Sequence, residues 1–244
     1  MKDQTTKNTA SSINIQKVQE DLEPIIMNVT ERKLPLRAYQ ILRLAIRNLK
    51  LLPGKTILER EIAEVLGMSR TPVREALIRL QTEGVVNLIP RKGFKIEPIE
   101  ERDLREIYEV VEMLEGLAAK LATNTTSEEE ILNLEWLIEQ QEKAINEKDL
   151  EEWARLDNLF HFKIIEFAEN KRLSNVIEVH ADQLYRARLL TINKRPLPFQ
   201  SIVEHRAIVA CMRARNGDAA QASMQSHRKR ARTEILTALQ DQYE

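Results

Sequence analysis

Apolar residues recur along most of this chain at steps of three and four, the period of an α-helix buried on one side. Ile15, Val18, Leu22, Ile25 and Val29 form the first such stripe, with Pro24 inside it. Proline lacks a backbone donor and crowds the preceding turn. One or two short helices packed on the body or on a second subunit fit the stripe, and so does a partly ordered tail. Met1 to Ser12 is polar and is expected to be disordered. Residues 1–33 are therefore read as a polar, partly disordered extension.

A denser pattern follows. Ala38, Ile41, Leu42, Ala45, Leu49 and Leu52 predict an amphipathic helix stopped by Pro53 and Gly54. A short helix is expected over about 58–66, with Ile62, Ala63 and Leu66 inward, and Gly67-Met68-Ser69 as the turn after it. Val73, Ala76, Leu77 and Leu80 then stand at i, i+3, i+4 and i+7, so one side of a third helix is core. Pro72 is tolerated there because the first helical turn has no partner for its missing N–H. Beyond Gly84 the pattern changes: Val85 to Pro90, the turn residues Arg91-Lys92-Gly93, and Phe94 to Glu97 read as a hairpin.

From Glu101 onward the period is helical, with six helices expected near 101–122, 127–146, 150–169, 171–192, 199–215 and 218–241. A capping box at Ser127 and Glu130, then Asp149, Asn170 and Asn216-Gly217-Asp218, mark the boundaries. The expected fold is mostly α. It consists of a winged helix-turn-helix at residues 34–99 followed by an all-α antiparallel bundle at residues 101–244.

Charge separates the two parts. The net charge is −1, yet Leu34 to Glu97 carries 12 basic and 6 acidic residues, and Glu101 to Glu244 carries 20 and 26. A basic block joined to an acidic one points the first at a polyanion and leaves another task to the second. The single cysteine, Cys211, excludes an internal disulfide framework and suits a reducing cytoplasm. The polar N-terminus and the lack of a run of about 18 apolar residues argue against export and membrane insertion. The expected location is cytoplasmic.

With one face of the third helix buried, Arg70, Thr71 and Arg74 are left around its exposed N-terminal end. Such a helix fits the major groove of B-DNA, where an arginine fork can bond both acceptors of guanine. Ser69 and Thr71 can reach phosphate or base edges, and the first-turn amides favour a phosphate. Arg91 and Lys92 at the hairpin tip would reach the backbone or minor groove, with Gly93 allowing the tight turn. A solvated basic face on a small helical domain is the alternative.

A second constellation lies in the acidic part. Asp157 and His161 are spaced i, i+4 and share a helical face with Ala154, Ile164, Ile165 and Ala168. His205 shares its face with Ile202, Ile208, Val209 and Met212, while His227 lies among Ala220, Met224 and Ala231. Each histidine alone reads as a hydrogen-bonded core residue. Together, four such groups turned into a bundle are costly to desolvate, and a divalent metal would satisfy them all. One carboxylate and three imidazoles suit zinc first, with manganese, nickel or iron as alternatives.

Leu52-Pro53-Gly54, Glu59-Arg60-Glu61-Ile62-Ala63, the run Leu66 to Leu77, Leu80, Glu83-Gly84 and Arg91-Lys92-Gly93 closely resemble the DNA-binding domain of the GntR family of bacterial transcription regulators. By position the resemblance implies DNA contacts at Arg60, Arg70, Arg74 and Gly93, assisted by Ser69 and Thr71. It alone supplies Arg60. Asp157-x3-His161, Asn170 with Leu173, Glu204-His205, Gly217-Asp218 with Ala222, and His227 resemble the FCD effector domain of the FadR-like branch. That resemblance implies a metal on Asp157, His161, His205 and His227, at which a small carboxylate effector binds.

One departure stands out. Val111 occupies a position where the family commonly has an arginine that anchors the effector carboxylate. Arg188, or secondarily Arg186, is the expected replacement from the fourth bundle helix. His180 on that helix either lines the same cavity or is a satisfied core histidine. The run His227 to Arg232, apart from His227, is expected to be a solvated helix face.

These readings make the chain a regulator, with repression as the first expectation, acting as a homodimer on a palindromic operator under the control of an organic acid. A metal-dependent enzyme fused to a DNA-binding head is an alternative. No general base or nucleophile constellation accompanies the metal cluster, so the chain is not expected to be an enzyme. A purely structural metal without an effector is the third reading.

Overall fold

The computed structural model describes residues 15–240; the disorder expected for Met1 to Ser12 lies outside the described residues. The chain divides into two compact units, one ending at Pro98 and the other starting at Ile99.

The first unit runs α1 (Ile15–Asn28), α2 (Leu34–Arg47), β1 (Thr56–Ile57), α3 (Glu59–Leu66), α4 (Arg70–Thr82), β2 (Val86–Ile89) and β3 (Gly93–Ile96). The stripe around Pro24 forms one helix. Its Leu22 is fully buried in the same core as α2 and α3, and Ile15, Val18 and Ile25 pack against it. The described part of the extension, from Ile15, thus packs on this unit. Gly67 ends α3 in the left-handed conformation, φ 61, and turns the chain into α4 within three residues.

The core gathers Ile41, Leu42 and Ile46 of α2, Ile62 of α3, Leu77 and Leu80 of α4 and Phe94 of β3, all buried. Each such side chain contributes about 1.5–3 kcal/mol by leaving water. On the surface the Tyr39 hydroxyl donates to the Glu83 carboxylate at 2.9–3.0 Å, and the Arg79 guanidinium lies 3.8 Å over the Tyr39 ring. These contacts tie α2 to the end of α4, so the exposed start of α4 is held from behind.

The hairpin is antiparallel, pairing Val86 with Ile96 and Ile89 with Gly93. It is one strand larger than its sequence pattern suggests, because β1 pairs on the other side of β3 to give the order β1-β3-β2. Two residues are too few to show a period of two, so β1 exists only through its partner. Gly93 makes that pairing possible. Its φ is +103, and a Cβ there would collide with the Ile57 carbonyl oxygen and the Leu58 side chain.

The second unit is helical among its described residues: α5 (Glu101–Thr125), α6 (Glu128–Asn146), α7 (Leu150–Phe167), α8 (Lys171–Thr191), a 3-10 turn at Ile192–Lys194, α9 (Phe199–Arg213) and α10 (Gly217–Gln240). The six expected helices are all present. Ser127 and Glu130 form the capping box, with the Ser127 amide donating to Glu130 Oε2 at 2.7 Å and the Glu130 amide to Ser127 Oγ at 3.3 Å. Asp149 caps α7 by accepting from the Glu152 amide at 2.9 Å, and Asn170 caps α8 by accepting from the Leu173 amide at 3.1 Å. α10 packs along α5 and α9, and α6 packs on α7 and α9. α7 is held between α5 and α6, which also carry α10 and α9, so the inner sides of α7, α9 and α10 turn toward the same interior.

Candidate functional site

Two sets of residues carry chemistry. In the first unit, Arg60, Ser69, Arg70, Thr71, Arg74, Arg91 and Lys92 are exposed and Gly93 is half-buried. Pro72, Val73, Ala76 and Leu77 turn the opposite side of α4 into the core. Ser69 is the N-cap of α4, yet its side chain takes no hydrogen bond from the helix. Its hydroxyl is thus left for a ligand, and the first-turn amides keep the partial positive charge that attracts phosphate. Arg70 Nη2 and Arg74 Nε stand 3.6 and 3.9 Å from the Glu59 carboxylate at the start of α3. Glu59 is mostly buried while both arginines are about two-thirds exposed, 70% and 63%, so it steadies them without covering them. Arg91, at φ 64, carries the turn between β2 and β3, and the Lys92 amide donates to the Ile89 carbonyl at 3.0 Å.

The second set converges inside the bundle. Asp157 and His161 come from α7, His205 from α9 and His227 from α10, and all four are buried. His227 Nε2 lies 3.3 Å from His161 Nε2 and 3.4 Å from His205 Nε2. Asp157 Oδ1 is 3.7 Å from His205 Nε2 and 4.0 Å from His161 Nε2. Donor atoms about 2.1 Å from a tetrahedral ion stand roughly 3.4 Å apart, so these spacings match a ligand set.

The outer nitrogens settle which atoms face inward. His227 Nδ1 is 2.7 Å from Glu204 Oε2 and His205 Nδ1 is 3.0 Å from Gln141 Oε1. His161 Nδ1 is 2.9 Å from Glu115 Oε2, without the alignment of a hydrogen bond. Glu204 and Gln141, as acceptors, favour a proton on Nδ1 of His227 and His205, so that the Nε2 lone pairs of these two rings face the interior, where His161 Nε2 also lies. A divalent cation fits that arrangement, and oxygen acceptors behind metal-ligating imidazoles are what such sites use to orient them. Burial pushes the His161 and His205 imidazoles well below their ordinary value, and burial likewise lowers His227, so all three stay neutral. For Asp157, burial works to raise the carboxyl, but the Arg188 guanidinium beside it, with Arg228 further off, outweighs burial and holds it below its ordinary value. Burial also opposes ionisation of Glu204, yet the bonds from His227 and Arg230 bring its carboxyl down to about 2.

A cavity of about 220 Å³ adjoins this cluster on its His161 side, with Arg188, Arg228 and Glu115 in its wall. Arg188 Nη1 lies 2.7 Å from Asp157 Oδ2. Arg228 is buried and grips Glu115 through both ends of its fork, one contact at 2.7 Å, while its Nη1 has no hydrogen-bond partner. Of the three residues expected to bind effector, only Arg188 lines this cavity. Arg186 is buried and His180 half-buried, and neither lines it. Val111 is fully buried in the apolar core of the unit.

The basic run His227 to Arg232 departs from its expected solvation. Arg228 is buried against Glu115, and Arg230 is half-buried, donating to Glu204 at 2.6 and 2.7 Å. Apart from Glu234, one turn on from Arg230, its acidic partners come from α5 and α9, far away in sequence. Glu115, Gln141 and Arg228 were not anticipated as parts of the site. Glu115 and Gln141 are polar residues at inward positions of α5 and α6, and that is the one signal that could have found them.

A winged helix-turn-helix with exposed arginines at the start of its third helix, followed by a helical unit that buries one aspartate and three histidines together, has the make-up of a DNA-binding regulator. Residues 34–96 match the bacterial regulatory proteins of the gntR family, and residues 106–230 match the FCD domain. The chain belongs to the GntR family of bacterial transcriptional regulators, in the group that carries an FCD domain. It is 33% identical over 193 residues to the HTH-type transcriptional regulator YdhC of Bacillus subtilis, covering 79% of this chain and 86% of that protein. It is 32% identical over 185 residues to the Nta operon transcriptional regulator of Aminobacter aminovorans, covering 75% and 86%. Among solved structures, Escherichia coli McbR/YncC superposes with a TM-score of 0.75 at 24% identity, covering 88% of this chain and all of that one. No helix among the described residues is long and apolar enough to cross a membrane.

Proposed function

We propose that this protein is a metal-dependent, ligand-responsive repressor that binds a palindromic operator as a homodimer. The observation that carries the sensor half is the convergence of three histidine Nε2 atoms and Asp157 Oδ1 beside a cavity walled by Arg188 and Arg228. Asp157, His161, His205 and His227 would hold the ion, zinc being the first choice for one carboxylate and three imidazoles. When bound, it supplies Lewis acidity and, beyond four ligands, positions for an anion.

The remaining steps belong to the chain. Gln141, Glu204 and Glu115 orient the imidazoles. Arg188, placed between Asp157 and the cavity, binds the effector carboxylate, the role that Val111 cannot fill. Arg228 adds positive charge from the α10 side. Arg70 and Arg74 read base edges in the major groove, Arg60, Ser69 and Thr71 fix the helix on the backbone, and Arg91, Lys92 and Gly93 place the hairpin beside it. Two subunits would set their recognition helices about 34 Å apart, one turn of DNA. Repression is supported by a relative 28% identical over 189 residues, the transcriptional repressor RspR of Escherichia coli. A coupling of about 1–3 kcal/mol between effector and operator is enough for a switch.

Elemental analysis of the native protein tests the sensor half: about one divalent ion per chain is expected, and its loss in His161→Ala with His227→Ala. A protein that copurifies with no metal and takes up none on dialysis contradicts the reading. Transcription from the neighbouring promoter should rise when the gene is deleted; a fall would make the protein an activator.

A further inference from the structure

The cavity beside the metal cluster has a composition that selects among carboxylates. Its inner end carries the guanidinium groups of Arg188 and Arg228, one of which keeps an unpartnered buried Nη1. Between that end and the surface the wall is apolar, built from Ile165 and Phe162 of α7 and Ile177, Ala181 and Leu184 of α8. Its outer rim carries the exposed carboxylates of Glu166 and Glu178. Lys163, the cation beside Glu166, is held to it at 2.7 Å. Guanidinium donors therefore line one end only, balanced there by Glu115 and Asp157 but with Arg228 Nη1 still unpartnered, and a second carboxylate on a ligand would face the acidic groups of the rim.

Hydroxyls fare no better in the middle. Ser174 already donates to the Asn170 carbonyl at 3.2 Å, so it can only accept from a ligand, and Asn158 is the remaining neutral polar side chain along that stretch. A hydroxyl that leaves water for an apolar wall without a partner costs about 1–3 kcal/mol. A volume of about 220 Å³ is also below the ~300 Å³ at which sites for drug-sized ligands begin.

From this we infer that the effector is a small monocarboxylate with an apolar body, aliphatic or aromatic, and that Phe162, Ile165, Ile177 and Leu184 exclude sugar acids and dicarboxylates. The inference rests on the proposal that a carboxylate binds at the metal cluster, and adds which carboxylate.

Calorimetric titration of the full-length, zinc-loaded protein with acetate, butanoate, benzoate, succinate and gluconate tests it. Butanoate should bind about tenfold more tightly than acetate, the gain for burying two methylenes, and benzoate at least as well. Succinate and gluconate should not exceed acetate. Changing Phe162→Ser, a half-exposed position, and separately Ile165→Ser, should shrink the advantage of butanoate over acetate; an undiminished advantage in both would overturn the inference. Succinate or gluconate binding as tightly as butanoate overturns this inference while leaving a carboxylate site in place. If none of the five binds, the carboxylate reading itself falls, and the inference with it.

Discussion

Glu204 and Gln141 touch no ligand atom in this account, yet they decide which nitrogen of His227 and His205 points inward. Their contacts of 2.7 and 3.0 Å favour the tautomer with its proton on Nδ1. Glu204→Gln and Gln141→Leu should each weaken zinc binding by about 10- to 100-fold while the protein stays folded, as competition with a chelating dye would report. Unchanged affinity would mean that the carboxylate and amide are mere packing partners. At this scale the sequence was informative where spacing is local: Asp157 and His161 sit one turn apart, and both reach the cluster. It was silent where pairing is distant. Glu115 meets Arg228 across 113 positions, and no periodicity links them. Arg186 and Arg188 differ by two positions on one helix, and the helical period alone could not choose which of them faces the cavity.

Among the elements, helices were read from sequence almost to their ends, because apolar stripes and side-chain caps are both local signals. Ser127→Ala should cost about 1 kcal/mol by removing the capping box of α6, measurable as a lowered denaturation midpoint. The short strand β1 was invisible because its two residues are defined by β3. Gly93 is the point where that hidden pairing can be tested. Gly93→Ala forces a Cβ into the Ile57 carbonyl at a φ that alanine resists, so the DNA-binding unit should lose upward of about 1 kcal/mol even without DNA. Stability equal to wild type would show that β1 does not sit against the hairpin. Pro24 posed the opposite problem: proline suggested a break, whereas Leu22 and its neighbours bury enough apolar surface to carry one helix through it.

For the whole molecule, the division of charge read from the sequence follows the division into two units, and the proposed function gives the basic unit to DNA and the acidic one to a cation. Stability should be linked to the metal, since an ion that binds only the folded bundle at 100 times its dissociation constant adds about 2.7 kcal/mol. Chelation should therefore lower the melting transition of the second unit; an unchanged transition would argue against a metal in the native protein. The central claim, that the first unit reads duplex DNA through the exposed start of α4, is tested most directly by footprinting the zinc-loaded full-length protein on the DNA upstream of its own gene, over a range of salt. The account predicts a protected palindrome whose affinity falls by close to one power of salt for each phosphate contacted, and which is lost in the Arg70→Ala, Arg74→Ala variant. Protection of no site at low ionic strength, or equal protection by that variant, would contradict it.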